Sequence, residues 1–114
     1  MTYVKNFNGT ILLRVENNQI KEFNGTVKYR INGDRVQDFY GKTLFVLDGE
    51  RVKDFCGKVL LYITYNEVKE FCGKTIARFD STYIKDFYGS IKYRIDGFLS
   101  RREMMALLAV MYAS

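Results

Sequence analysis

Cys56 and Cys72 are the only thiols in the chain, each standing just before a glycine and sixteen residues apart. A thiol can act as a nucleophile, a metal ligand or half of a disulfide. Nucleophilic use needs a group that draws off the proton, and the sequence contains no histidine, the commonest general base. The equivalent positions elsewhere hold Asn8, Asn24, Tyr40 and Tyr88, so the two cysteines read as turn-filling residues. If they stand two strands apart in a sheet, about 9.6 Å separates them, beyond the roughly 7 Å that a disulfide spans. Reduced thiols and an N-terminal segment, MTYVKNFNGT, that lacks a secretion leader together predict a cytoplasmic protein.

The second set with chemical potential is acidic. Glu22, Asp38, Asp54, Glu70 and Asp86, with Asn6 in register, recur at a spacing of sixteen residues and would gather carboxylates on one edge of a closed sheet. Calcium would need several converging oxygens. Each acid instead opens a turn, where its side chain can bond the backbone, and Lys42, Lys58 and Lys74 follow as expected ion-pair partners of Asp38, Asp54 and Glu70. No catalytic residue, no metal site and no cofactor is therefore expected.

The elements that carry these positions follow from the same period. Phenylalanine stands at 7, 23, 39, 55, 71 and 87 and glycine at 9, 25, 41, 57, 73 and 89, without one insertion. A fixed period of this kind marks a repeat architecture. Sixteen residues accommodate two strands and two turns. The segments INGDR, LDGER and IDGF carry Asn-Gly or Asp-Gly between strand-like runs, a strong hairpin signal. The D-F-x-G segments place an acid first and a glycine fourth, as in a type I turn closed by a glycine bulge.

Val4, Ile20, Val36, Val52, Val68 and Ile84 form one apolar column; after each turn glycine, trios such as Thr43, Phe45, Leu47 and Val59, Leu61, Ile63 form another. Twelve antiparallel strands result. The first, around residues 2–6, and the last, around 90–96, are complementary halves of one unit, and pairing them removes both sheet edges. The fold class is mainly β: a twelve-stranded antiparallel meander of 16-residue hairpin repeats closed into a barrel or ring, spanning residues 1–97 of a single domain. Residues 98–114 read as a helix, with Ser100 as N-cap, Glu103 completing a capping box, and a surface apolar nearly all round. Such a helix belongs inside the ring; the alternative is a helix folded over the outer wall. Its apolar run of about ten residues is half of what a bilayer span needs.

The F-x-G turn together with the Asn/Asp-Gly turn resembles small hairpin-repeat proteins of the beta-flower type and, more distantly, repeats of the YD and WG kind. In architecture alone, a barrel enclosing a C-terminal apolar helix is similar to tubby-like and LURP-one domains. The resemblance implies a fold and no activity.

The chain has 114 residues, 47% of them hydrophobic and 16% aromatic, with a formal charge of +5, so a packed core is expected and disorder is not. By strand parity Arg14, Lys28, Arg30, Arg78, Lys92 and Arg94 face outward and become neighbours on ring closure, forming a basic sector that could neutralise phosphates. The same parity places Leu44, Val46, Leu60, Tyr62 and Ile76 outward as an apolar patch. An exposed patch marks an interface. The function expected is a non-enzymatic binding or assembly module, forming a homodimer through this patch or meeting another protein; the alternative is nucleic-acid binding. No membrane partner is expected.

Overall fold

The computed structural model describes residues 2–113. Twelve strands precede one helix: β1 (Thr2–Asn6), β2 (Ile11–Glu16), β3 (Gln19–Glu22), β4 (Val27–Asn32), β5 (Arg35–Asp38), β6 (Thr43–Asp48), β7 (Arg51–Asp54), β8 (Val59–Ile63), β9 (Glu67–Glu70), β10 (Thr75–Phe79), β11 (Tyr83–Asp86), β12 (Ile91–Asp96) and α1 (Arg101–Tyr112). Each strand pairs with its neighbours in sequence, and β1 pairs with β12 to close the barrel. At the seam the antiparallel register sets Val4 against Ile95 and Lys5 against Arg94. Closure leaves no sheet edge to be covered.

Both turn types have identifiable causes. In the D-F-x-G turn the Gly41 N–H donates to the Asp38 carbonyl at 3.0 Å and Gly41 adopts a φ of +89°, the turn-plus-bulge combination that only glycine adopts without strain. At the opposite end the two-residue loops are Gly33–Asp34 and Gly49–Glu50, one residue later than a centre on Asn-Gly or Asp-Gly. The glycines hold φ near +60°, matching turns that need glycine at the first central position. Asn17 and Asn18 fill the corresponding loop with both residues at positive φ, a conformation asparagine tolerates.

A second irregularity recurs along the early half of each even-numbered strand. Val36 pairs with Phe45 and Gln37 with Thr43, so Leu44 is an extra residue; Leu60 and Ile76 occupy the same position in their strands. These bulges break the alternation of faces. The apolar column Val4, Ile20, Val36, Val52, Val68 and Ile84 lies at or below 1% exposure, as its period requires.

The helix lies inside the barrel. Seven successive residues, Met104 to Val110, are buried, and since each residue advances about 100° around the axis, every side of the helix is covered. A helix on the outer wall would expose one stripe, so the outside placement is excluded. Twelve residues rise about 18 Å, matching a molecule 37 × 34 Å across and 19 Å deep. Ser100 Oγ accepts from the Glu103 N–H and the Glu103 carboxylate accepts from the Ser100 N–H, closing the capping box. The Arg101 guanidinium donates to the carbonyls of Ile63 and Thr64 at 2.7 and 2.8 Å, tying the start of the helix to the mouth of the barrel. No helix among the described residues is long and apolar enough to cross a membrane.

Candidate functional site

The two ends of the barrel differ in chemistry. At the end where the helix starts, short and mostly polar loops at residues 17–18, 33–34, 49–50, 64–66 and 80–82 surround Ser100 and Arg101, with Tyr65 and Phe98 the exposed aromatic rings there. A cavity of about 390 Å³ opens there between Asp34, Gly49, Arg102 and Met105. The other end carries the six D-F-x-G turns. The helix finishes toward this rim, where Tyr112 is affected by Tyr93 and Asp86. Burial, reinforced by Tyr93 and Asp86, holds the Tyr112 hydroxyl above its ordinary ionisation range.

All six turn phenylalanines are exposed on that rim, from 45% for Phe87 to 75% for Phe7. Tyr40 and Tyr88 add two more rings, 82% and 81% exposed, tilted against Phe39 and Phe87 with centroids 3.9 Å apart. Phenylalanine is the second residue of each turn, above an interior already filled by the Val/Ile column and the helix, so its ring projects past the end of the barrel. Full burial of such a ring is worth about 1.5–3 kcal/mol, and each of these half- to three-quarters-exposed rings forgoes a corresponding part of it. The turn itself does not require it.

In four of the six turns the side chain of the first residue is spent on the backbone, while Glu22 instead approaches Lys28 and Glu70 accepts from the Cys72 thiol. Asp38 Oδ1 accepts from the N–H groups of Tyr40 and Lys42, both at 2.9 Å; Asp54 and Asp86 make the same pair of bonds, and Asn6 makes them with Asn8 and Thr10. The ion pairs expected from Lys42, Lys58 and Lys74 do not form among the described residues. For Lys42 and Lys58 the backbone N–H takes the carboxylate oxygen, and the ammonium groups stay in solvent. Cys56 and Cys72 are free and exposed on the same rim.

The outer wall is basic over most of its circumference. Arg14, Arg30, Arg78 and Arg94 lie on it, each cross-strand from a residue of a second column, Lys21, Gln37, Lys85 and Lys5. Lys53 and Lys69 continue that column opposite Val46 and Tyr62. The lysine column was equally periodic in the sequence, on the short odd-numbered strands. Lys5, Lys21, Lys53 and Lys69 pair with Asp96, Glu16, Asp48 and Glu67, and Arg78 also reaches Glu67. Lys28 and Lys92 stand at bulge positions and approach the rim acids Glu22 and Asp86 at 3.9 Å, apart from the arginines they were expected to join. Arg14 stacks over Tyr3, 5.7 Å from the ring centre.

No matching family model, characterised protein or solved structure is found for this chain. Its chemistry must be read from its own surface.

The apolar outer patch is not a single surface. Leu44, Leu60 and Ile76, turned by their bulges, are half-buried and pack against the core. Val46 and Tyr62 remain on the wall, where Val46 is flanked by Arg35 and Lys53 and Tyr62 by Arg51 and Lys69. The largest concentration of exposed apolar side chains is the aromatic rim.

Proposed function

We propose that the protein is a non-enzymatic binding and assembly module that meets a second copy of itself through its aromatic rim. The observation that carries this reading is the set of six equivalent, exposed phenylalanines, extended by Tyr40 and Tyr88, on one end of a closed barrel. Aromatic side chains are the residues that concentrate binding energy in interfaces, and contiguous apolar surface on a small protein marks a contact face. A face 37 × 34 Å across accommodates the roughly 800 Å² per partner of a standard interface. A two-fold pairing, rim on rim, covers all the rings at once. Two reduced thiols on the same rim suit a reducing compartment such as the cytoplasm.

Sedimentation velocity over rising concentration tests the reading. The unmodified chain is expected as a dimer, and Phe55→Ser with Phe71→Ser is expected to give a monomer of unchanged melting temperature. A monomer at every concentration for the unmodified chain rejects self-assembly.

The basic wall favours a second reading, nucleic-acid binding. Arg30, Lys85 and Arg94 form no ion pair among the described residues and are available to phosphates. Against it, Tyr29 and Tyr93 are half-buried against the core and offer no free face for base stacking. Retention on a DNA column that falls steeply with salt, and falls again in Arg14→Gln/Arg30→Gln/Arg94→Gln, supports this reading. Equal retention of both proteins dismisses it.

A further inference from the structure

The closure seam breaks the repeat in one respect. In the repeats that carry an arginine on the wall, that arginine neighbours, one step along the ladder, the cross-strand partner of the residue opening the next turn. Arg14 follows Leu13, which faces Glu22; Arg30 follows Tyr29, which faces Asp38; Arg78 follows Ala77, which faces Asp86. At the seam Arg94 follows Tyr93, which faces Asn6. The carboxylate of the other repeats is an amide here.

The consequence is a change in hydrogen-bonding sign. Asn6 Oδ1 accepts the two turn N–H groups, from Asn8 and Thr10 at 3.0 Å, just as an aspartate oxygen does in the turns of Asp38, Asp54 and Asp86. The remaining atom is then Nδ2, a double donor, where aspartate would present a second, negatively charged acceptor. The Arg94 guanidinium makes no hydrogen bond or ion pair among the described residues; Asp96, whose charge reaches it, bonds Lys5 at 2.8 Å instead. A cavity of about 320 Å³ opens at this point on the outer wall just below the rim. Its lining combines Arg94, Asn6 and Asn8 with the apolar surfaces of Phe7, Tyr83 and Ile91. Phe7 is the most exposed of the turn phenylalanines. Cation and amide donors select an anion where the nearby carboxylate, Asp96, is already engaged by Lys5, and two aromatic walls select a flat ring beside it.

We infer that the seam pocket binds a small anion carried on a planar ring, an aromatic phosphomonoester or carboxylate, with Arg94 and Asn6 holding the anion and Phe7 and Tyr83 flanking the ring. The volume lies at the lower end of small-ligand sites and fits a ligand of that size. Phe7 belongs both to this pocket and to the rim, so rim-to-rim assembly would compete with the ligand for that ring, while Arg94, Tyr83 and Ile91 lie on the wall outside the rim turn.

Phenyl phosphate, followed by backbone amide shifts in a two-dimensional nitrogen–proton NMR titration of the full chain, is the direct probe. Saturable shifts are expected at residues 6–9, 83, 91 and 94. Asn6→Asp restores the residue type of the other repeats and keeps the turn bonds, so it leaves folding unchanged; it is expected to weaken binding at least about tenfold by placing like charge beside the ligand. Arg94→Gln is expected to weaken it similarly, while Arg30→Gln leaves it unchanged. Inorganic phosphate is expected to bind more weakly than phenyl phosphate. The inference is overturned if no saturation appears up to about 10 mM, a limit looser than ordinary ligand affinities, or if Asn6→Asp binds as the parent does. Equal binding of inorganic and phenyl phosphate would remove the aromatic ligand class and overturn it in that form.

Discussion

A methyl group placed on Gly97 would lie 2.7 Å from Thr2 Oγ1, closer than any packed Cβ can sit. The Thr2 hydroxyl donates to the Phe98 carbonyl at 2.6 Å, so the first strand and the segment leading into the helix are clasped across the seam. Gly97 also holds a φ of +129°, which L-residues rarely adopt. Gly97→Ala is therefore expected to lower stability by about 2 kcal/mol or more, combining backbone strain with the clash. Urea midpoints of this variant and of Gly33→Ala, which also sits at positive φ but whose added Cβ meets nothing within 4 Å, separate the clash from the backbone strain.

Leu107 and Leu108 are fully buried inside the barrel. Leu108→Ala is expected to cost about 2–5 kcal/mol, the range for emptying a packed core position, whereas Leu12→Ala on the 37% exposed Leu12 should cost far less. Equal effects of the two in chemical unfolding would contradict a helix enclosed on all sides.

The turn carboxylates make a separable contribution. Asp54→Asn keeps an oxygen for the N–H groups of Cys56 and Lys58 and is expected to change stability little. Asp54→Ala removes both bonds at an exposed site, and about 1 kcal/mol is expected to be lost. Thermal melts of the pair distinguish capping from charge, since both variants remove the same charge.

Acid should weaken the fold. Backbone N–H bonds from Thr82 and Tyr83 hold the Asp80 carboxyl below its ordinary range, and Lys5 and Lys53 do the same for Asp96 and Asp48. A carboxyl depressed in the folded state contributes stability that is complete above its unfolded value, about 3.9, and is lost as pH falls through the lower folded value. Unfolding midpoints are expected to be flat near neutrality and to fall below about pH 4. Added salt should shrink the part owed to the exposed Asp48 and Asp96 pairs and spare the part owed to Asp80. Asp80→Ala should flatten the remaining acid limb.

Much of the barrel was legible in the sequence because turn chemistry and strand period are local properties. Phe7 to Phe87 and Gly9 to Gly89 recur without a slip, and a Gly or Asn at positive φ, or an acid capping its own turn, depends on only a few neighbouring residues. The pairing of β1 with β12 could be anticipated because two complementary half-units remained, and the capping box of Ser100 and Glu103 announced the helix. The surface was less legible. Strand parity put Leu44, Leu60 and Ile76 on the wall, but a bulge at each of these positions turns them against the core, and a bulge arises from the fit of one strand to the next. The six phenylalanines read as apolar residues of a repeat; only the filled interior beneath them leaves the rim as their place. The seam pocket needs the closed ring to exist at all: Asn6 and Arg94 stand 88 positions apart in the chain, and closure alone places an uncharged turn beside an unpaired guanidinium. Local backbone chemistry determined the elements and their order, while the direction a side chain faces depended on contacts between residues far apart in sequence, which only the assembled barrel supplies.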